Sequence, residues 1–313
     1  MNPPTAFDII GDLHGHADKL HALLAHMGYH QARGAWRHPE RQAIFVGDYV
    51  DRGPRQLATV DMVRRMVDAG SAMALMGNHE FNAIAWATPD ADAPGEYLRP
   101  HAGPVGSKNR QQHSAFLAEV DEQPALHASV IEWFKTLPLW LELTGLRVVH
   151  ACWHPAMMER LRPHLAAGER LTDHLLVRAS RKGTPEYEAL ETLLKGEERA
   201  LPPGVSFRDK DGHERHEVRT RWWHPNPSNL ADIALAPPES LLHLQGLPLP
   251  DHLLRPTDSV PTLFGHYWMS GAPALLSPTM ACVDYSAGKD GPLVAYRWNG
   301  EAQLASGNFS VVP

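Results

Sequence analysis

Three short polar segments of the chain combine side chains that can bind metals or phosphate. They are Gly11-Asp-Leu-His-Gly15, Gly47-Asp-Tyr-Val-Asp-Arg-Gly53 and Gly77-Asn-His-Glu80. A carboxylate and an imidazole two residues apart, as in Asp12 and His14, suit Mn, Fe, Zn or Ni better than Mg or Ca, which prefer oxygen ligands. We therefore predict a transition-metal site built by these segments.

Further candidate ligands lie at the ends of other predicted strands. Asp48 ends one of them, and its short carboxylate can bridge two cations. Asn78 offers a neutral oxygen, and His150 and His266 offer nitrogen ligands far along the chain. Arg52 carries a planar fork of donors that matches phosphate oxygens. The combination indicates a dinuclear metal site that acts on phosphate.

The elements around the three segments must bring these side chains together. Apolar runs at 6–10, 43–46 and 72–76 predict buried strands, and helices are predicted at 18–27, at 55–69 and from 81 onward. Alternation of strand and helix is typical of a parallel sheet with crossover helices. In such sheets the ligand crevice lies outside the carboxyl ends of the strands. All three polar segments fall at that edge.

The remaining chain is predicted to complete the sheets and to add an insertion. We predict a loop at 88–113, helices at 111–119 and 129–136, a hairpin of 140–143 with 146–149, and strands at 262–264, 281–284, 293–298 and 302–306. The strands of this tail are predicted to be antiparallel. Helical stretches at 172–180 and 185–195 between Pro-rich linkers indicate a cap-like insertion at about 153–261 within one domain, 1–313.

Composition favours a globular enzyme of the cytoplasm. The chain has 313 residues, 43% hydrophobic and 21% charged, with no apolar run long enough for a membrane span and no signal-like N-terminus. Two cysteines, Cys152 and Cys282, cannot form a disulfide framework. The net charge of −7 and the lack of a Lys/Arg-rich run disfavour nucleic acid as a partner.

Each feature also has an ordinary structural explanation. A Gly-Asp pair alone is common turn chemistry, and a single strand-end histidine usually serves packing. Trp153, Trp222 and Trp223 can stack on a base or an aromatic leaving group, or can belong to the core of the cap. The joint occurrence of three polar segments after strands, together with two later strand-end histidines, favours a functional site.

The three segments and the two later histidines resemble the calcineurin-like metallophosphoesterases. Within that family they are most similar to the branch of phosphoprotein phosphatases and symmetrical diadenosine tetraphosphatases. The resemblance is specific over residues 8–80 and covers little of 153–261. It implies an α/β fold with a four-layer β-sandwich of two mixed sheets flanked by helices, here with a helical insertion.

The resemblance also implies roles for single residues. One metal would be held by Asp12, His14 and Asp48, and the second by Asp48, Asn78, His150 and His266. His79 would be the general acid, oriented by Asp51, and Arg52 would bind phosphate. The cofactors would be two divalent ions, with Mn favoured and Fe, Zn or Ni as alternatives, that activate a water for attack on phosphorus.

Two features concern the part of the site that selects the substrate. The family has a second phosphate-binding arginine between its last two histidines, for which we predict Arg221. Family phosphatases also follow the first late histidine with two glycines, whereas Ala151 and Cys152 follow His150 here. These larger side chains are predicted to narrow the site and argue against a protein phosphatase.

The substrate prediction is a phosphomonoester, including a phosphoprotein or nucleotide, or a dinucleoside polyphosphate. A phosphodiesterase or nuclease is the alternative enzyme. A catalytically silent metal-binding module is the alternative of another class, although Asp51, Arg52 and His79 would have no use in it. The sequence leaves the oligomeric state open.

Overall fold

The computed structural model describes residues 6–208, 214–249 and 259–313. Fifteen strands lie within these ranges: β1 Phe7–Ile10, β2 His30–Ala32, β3 Ala35–Arg37, β4 Gln42–Phe45, β5 Ala72–Ala74, β6 Trp140–Leu143, β7 Leu146–Val149, β8 Glu198–Ala200, β9 Phe207–Arg208, β10 Glu214–Arg215, β11 Glu217–Arg219, β12 Thr262–Phe264, β13 Met280–Cys282, β14 Leu293–Trp298 and β15 Phe309–Val312.

Eleven α-helices occupy the same described ranges: α1 Ala17–His26, α2 Gln56–Asp68, α3 Asn78–Ala87, α4 Gly103–Gln112, α5 Ser114–Val120, α6 Pro124–Lys135, α7 Pro155–Leu161, α8 Asp173–Ala179, α9 Pro185–Lys195, α10 Leu230–Ile233 and α11 Pro238–Leu244. Three short 3₁₀ helices cover Arg162–His164, Ala287–Lys289 and Ser306–Asn308.

The first sheet carries the three polar segments. Its strand order is β15-β14-β1-β4-β5, in which β1, β4 and β5 run parallel and β14 is antiparallel to both β1 and β15. Every residue of β1 is buried, as expected for a continuous apolar run in a strand covered on both faces. The carboxyl ends of the three parallel strands therefore meet at one edge.

The second sheet brings in the two late histidines. Its order is β13-β12-β7-β6, with β13, β12 and β7 parallel and β6 antiparallel to β7. Buried side chains such as Ile9, Ile44, Val148 and Leu263 form one apolar cluster that joins the two sheets face to face. A larger cluster packs apolar residues of α1, α2, α3 and α6 together with buried residues of both sheets. Two mixed sheets flanked by helices form the predicted sandwich, which confirms the fold class.

Two helix starts are capped by side chains, one from a distant segment and one from the preceding residue. Helix α2 begins at Gln56, and its first two backbone N–H groups, those of Gln56 and Leu57, donate to the carboxylate of Glu119 at 2.7 and 2.9 Å. Helix α9 begins after Thr184, whose hydroxyl oxygen accepts the N–H of Tyr187, and Pro185 occupies its first turn. Both arrangements satisfy N–H groups that a helix start leaves without intrahelical partners.

Three local predictions were wrong. The segment 88–113 is not a continuous loop, because α4 forms from Gly103 with Pro104 in its first turn, where a missing N–H costs nothing. No strand forms at 302–306; the edge strand is Phe309–Val312, which pairs with β14. The tail is also not wholly antiparallel, since β13 runs parallel to β12.

The chain between the neighbouring strands β7 and β12 forms α7 to α11 and two small two-stranded sheets, β8 with β11 and β9 with β10. The predicted insertion at 153–261 is thus only partly helical. Its residues 209–213 and 250–258 lie outside the described residues.

Candidate metal and phosphate site

The three polar segments meet at the carboxyl edge of β1, β4 and β5. Asp12 and His14 follow β1, and Asp48 follows β4. Asn78 and His79 follow β5, but they form the first turn of α3, because the helix starts at Asn78 and not at the predicted Phe81. The helix start therefore fixes the direction of these two side chains.

Asp48 lies at the centre of the buried histidines. Its Oδ2 atom is 3.7 Å from His14 Nε2 and 3.8 Å from His79 Nε2, and its Oδ1 atom is 3.5 Å from His150 Nε2. Two groups, His14-Asp48-His79 and Asp48-His150-His266, each bring their ligand atoms within 4.8 Å of one another. We call this arrangement the Asp48 centre; its carboxylate is common to both groups.

The histidine rings are oriented in the manner of metal ligands. Nδ1 of His14 donates to the carbonyl of Val50 at 3.0 Å, and Nδ1 of His150 donates to that of Val46 at 2.9 Å. Each ring therefore directs the lone pair of Nε2 inward. Burial lowers the pKa of His14 to about 3 and lowers that of His150, so both imidazoles are neutral. Neutral imidazoles with fixed tautomers fit a divalent metal.

Two buried nitrogen atoms at the centre lack hydrogen-bond partners among the described residues. They are Nε2 of His14 and Nδ1 of His266. Asn78 Oδ1 lies 3.2 Å from His150 Nε2, which places the predicted neutral oxygen ligand beside the second group. A buried polar atom without a partner is costly, and coordination of a cation would remove that cost.

Asp12 adds a carboxylate that is not part of either three-residue group. It accepts the backbone N–H of His266 at 3.1 Å, which joins the end of β1 to the end of β12. Burial, followed by the nearby carboxylates of Asp284 and Asp48, raises the pKa of Asp12 well above its ordinary value. Buried carboxylates that repel one another would be stabilised by divalent cations bound between them.

Asp284 belongs to none of the sequence motifs that predicted the site. Its carboxylate accepts the backbone N–H groups of Trp268 and Ser286 at 2.8 and 2.9 Å, so it shapes the loop that follows His266. The position of Gly265, just before His266, requires glycine, because a Cβ atom there would be 2.1 Å from Asp12 Oδ1.

His79 and Asp51 form a hydrogen-bonded pair. Nδ1 of His79 lies 2.6 Å from Oδ2 of Asp51, and Nδ1 of His113 lies 2.8 Å from Oδ1 of the same carboxylate. Burial acts to raise the pKa of Asp51, but the hydrogen bonds from His113 and His79 outweigh it and hold the pKa below its usual range. The carboxylate is therefore ionised and accepts both hydrogen bonds.

The environment separates His79 from the other histidines of the centre. Burial alone would lower the pKa of His79, but the negative charge of Asp48 and the bonded Asp51 raise it above its ordinary value. A raised pKa favours the protonated ring, which can give up a proton but cannot coordinate a metal.

Glu80 ties two of the polar segments together. Its carboxylate accepts the backbone N–H groups of Asp48, Tyr49 and Gly77 at 2.8, 2.8 and 2.9 Å. The side chain is fully buried. The loop after β4 and the start of α3 are thus held by one residue, whose role the sequence did not indicate.

A small cavity of about 280 Å³ opens beside the Asp48 centre. Its cationic side chains are Arg52, Arg219 and Lys289, and its other lining residues are Asp48, Asn78, His79, His266 and Trp268. Arg52 lies 4.1 Å and Lys289 Nζ lies 3.9 Å from the centre of the Trp268 ring. We call it the phosphate cavity, since three cations around one small space suit a phosphoryl group.

The structure places Arg219, and not the predicted Arg221, beside the phosphate cavity. Arg221 does not line the phosphate cavity among the described residues, whereas Arg219 does, with Nη1 3.2 Å from Nε2 of His266. The backbone N–H of Arg221 instead donates to the carbonyl of Ile233 at 2.6 Å. Arg219 is the last residue of β11, so the strand end places its side chain toward the centre.

Trp153, Trp222 and Trp223 belong to the core. Trp222 and Trp223 are 2% and 6% exposed and pack on Phe264, and Nε1 of Trp222 donates to the carbonyl of Ala151. Trp153 is also buried. Of the two interpretations left open by the sequence, packing is therefore the observed one.

Ala151 and Cys152, predicted to narrow the site, are wholly buried. Among the described residues they line neither the phosphate cavity nor a larger neighbouring cavity around Asp51 and His79.

Several site residues have left-handed backbone conformations although they are not glycine. The φ angles are 43° for His14, 54° for Asp48, 70° for Asp51, 77° for Arg52 and 72° for His266. Such conformations cost about 1–3 kcal/mol each and concentrate at functional sites.

Comparison with known proteins places this geometry in context. The family model of the calcineurin-like phosphoesterases matches residues 5–197. An asymmetrical bis(5′-nucleosyl)-tetraphosphatase of Halalkalibacterium halodurans is 46% identical over 74 residues, 23% of this chain and 30% of the relative. The enzyme of the same name from Bacillus subtilis is 37% identical over 75 residues, 24% of this chain and 31% of the relative. The matched segments thus span about a third of these relatives.

Solved structures with similar chains are more distant. A protein serine/threonine phosphatase of Saccharomyces cerevisiae aligns with a TM-score of 0.49 and 14% identity over 99% of this chain and 80% of its own. A cold-active protein-tyrosine phosphatase of a psychrophilic Shewanella aligns with a TM-score of 0.48 and 16% identity over 99% and 81%. Among the described residues, none of the helices has the length and apolar character needed to cross a membrane.

Proposed function

The chain belongs to the calcineurin-like phosphoesterase family, and on that premise we propose that it hydrolyses phosphate esters or polyphosphate anhydrides at the Asp48 centre with His79 as the general acid. The observation that carries this proposal is the position of His79. Its Nδ1 atom is hydrogen-bonded to the carboxylate of Asp51, and its ring lines the phosphate cavity next to Asp48.

The metal ligands are proposed from the neutral rings and the carboxylates. Asp12, His14 and Asp48 would hold one divalent ion, and Asp48, Asn78, His150 and His266 the other. When bound, the two ions would activate a water and neutralise charge on the phosphoryl oxygens. The donor set fits Mn, Fe, Zn or Ni, since imidazole suits these ions.

The residues of the chain divide the remaining work. Arg52 and Arg219 would hold the phosphoryl oxygens by charge-assisted hydrogen bonds, with Lys289 as a third cation. Water adds its oxygen to phosphorus as the bond from phosphorus to the leaving oxygen breaks. His79 gives its Nε2 proton to that oxygen, while Asp51 keeps the ring in place and stabilises its protonated form.

The substrate is proposed to be a phosphomonoester or a dinucleoside polyphosphate. The names of the relatives, which are bis(5′-nucleosyl)-tetraphosphatases, favour the second. Residues 153–261 are proposed to act as a cap within one domain, since Arg219 reaches the phosphate cavity from that segment.

The test is the variant His79→Asn, assayed with p-nitrophenyl phosphate and with phenyl phosphate in the presence of Mn²⁺. Phenolate is the poorer leaving group and depends more on protonation. We expect metal content to be retained and turnover of phenyl phosphate to fall by about 10²- to 10⁴-fold, with a smaller loss on p-nitrophenyl phosphate. Full turnover of phenyl phosphate by the variant would refute the acid role.

A substrate panel distinguishes the alternatives. Phosphopeptide, diadenosine tetraphosphate, a nucleotide and bis-p-nitrophenyl phosphate are compared at one metal concentration. Faster hydrolysis of the last would favour the phosphodiesterase. Metal binding without turnover of any member would favour the catalytically silent module.

A further inference from the structure

A second and larger cavity adjoins the phosphate cavity on the side of His79. Its volume is about 820 Å³, and it shares Asp51, Arg52, Asn78 and His79 with the site described above. From there it extends between α4 on one side and the α8–α9 region on the other. A general acid lies on the side of the leaving oxygen, so the space beyond His79 is where the leaving group must lie.

The lining of this cavity is unusually cationic for the chain. Among the described residues that line it, Lys and Arg supply five side chains and Asp and Glu only two, although the whole chain has a net charge of −7. Both carboxylates are occupied, because Asp51 accepts hydrogen bonds from two histidines and Glu191 pairs with Lys195. The cavity thus has a surplus of positive charge.

Three of the cations retain unused donors. Within the described part of the chain, neither Lys108 nor Lys182 forms an ion pair or a side-chain hydrogen bond. Arg99 donates from Nη2 to Gln112, but its Nε atom is buried without a partner. Cations placed around a cavity without counter-charges are suited to bind an anion.

The walls of the cavity are joined to each other. Arg181, between α8 and α9, makes a two-pronged ion pair with the buried carboxylate of Asp90, which lies after α3. This contact connects the α8–α9 wall to the segment that leads from α3 into α4, the other wall. A cavity whose walls are already connected loses less freedom on binding than one that must close.

We propose that this cavity binds the leaving group and selects a leaving group that carries an anionic group of its own, a phosphate or a carboxylate. Lys108, Lys182 and Arg99 supply the contacts. The proposal rests on the proposed function, since only a hydrolysis with His79 as the acid gives the cavity a leaving group.

Three aryl phosphates with the same type of scissile bond test the selection: phenyl phosphate, 4-carboxyphenyl phosphate and 1,4-phenylene bisphosphate. Wild-type enzyme should show a kcat/KM for at least one of the anionic substrates that exceeds that for phenyl phosphate by about tenfold, after correction for the two equivalent esters of the bisphosphate. The anionic substrate with the higher kcat/KM shows whether the cavity binds phosphate or carboxylate.

The matched variants are the double substitution K108Q/K182Q and the control Lys135→Gln, which removes a lysine on α6 outside the cavity. The double variant should lose most of the preference, and the control should keep it. An unchanged preference in the double variant, or no preference in the wild type, overturns the proposal. Failure of the wild type to hydrolyse any of these three substrates and diadenosine tetraphosphate as well would instead overturn the proposed function.

Discussion

His113 donates a hydrogen bond of 2.8 Å from Nδ1 to Oδ1 of Asp51, the carboxylate oxygen that His79 leaves free. The donor lies at the junction of α4 and α5, 62 residues along the chain from its acceptor. Asp51 is thereby held from two sides. Its direction toward His79 depends on a residue outside the three polar segments.

We expect His113→Phe to slow turnover of phenyl phosphate by about tenfold, because Asp51 loses one of two bonds that fix it. The loss on p-nitrophenyl phosphate should be smaller, since that leaving group needs less protonation. His113→Asn is the matched control, as its amide N–H can take the place of Nδ1. Equal losses on both substrates, or no recovery with Asn, would contradict a role in positioning the acid.

Arg219 and Arg221 make a second matched pair. Arg219→Gln should lower kcat/KM for a phosphomonoester by about tenfold or more, because a charge-assisted contact in the phosphate cavity is lost. Arg221→Gln should change it by less than about twofold, as expected for a residue outside that cavity. Steady-state kinetics of both variants measure the two effects. A larger loss for Arg221→Gln would favour Arg221 as the second phosphate-binding arginine.

The shared position of Asp48 predicts a change in metal stoichiometry. Asp48→Asn should reduce the metal content from two equivalents to one or fewer, because the bridging charge is removed. Elemental analysis of the purified variant after dialysis against Mn²⁺ measures it, with Asp284→Asn as a comparison at a carboxylate that is not a proposed ligand. If the Asp48 variant still held two equivalents, this residue could not be the bridge.

Asp51 should also make stability depend on pH in the acid range. Its pKa in the folded protein lies below the ordinary value of 3.8, so the folded state favours the ionised form. The resulting stabilisation is present above 3.8 and is lost as the pH falls through the folded-state pKa. The difference in Tm between wild type and Asp51→Asn should therefore be constant near neutral pH and shrink below about pH 4. A difference that grows on acidification would show the opposite sign.

The sequence allowed most of the sheets to be predicted. Continuous apolar runs identify buried strands, and the motifs at their ends identify Asp12, Asp48 and His79, because parallel strands bring their carboxyl ends together. Placement of His150 at the centre followed from the same rule, applied to a strand of the second sheet. These are regularities that a short stretch of sequence contains.

The parts that were missed depend on contacts between distant segments. Nothing within several residues of His113 indicates that it meets Asp51, and the choice between Arg219 and Arg221 depends on where β11 ends. Helix α4 has two glycines, which disfavour a helix locally, and yet it forms a wall of the large cavity. Tertiary packing decided each of these cases.

Stability and activity make opposite demands on five residues with left-handed backbone conformations: His14, Asp48, Asp51, Arg52 and His266. Glycine adopts these angles without steric conflict, so it would relax the backbone at each position. A library selected only for resistance to heat should accumulate glycine there, and its survivors would be robust proteins with no catalysis. The five side chains proposed to act at the site are thus held at positions where glycine would relax the backbone.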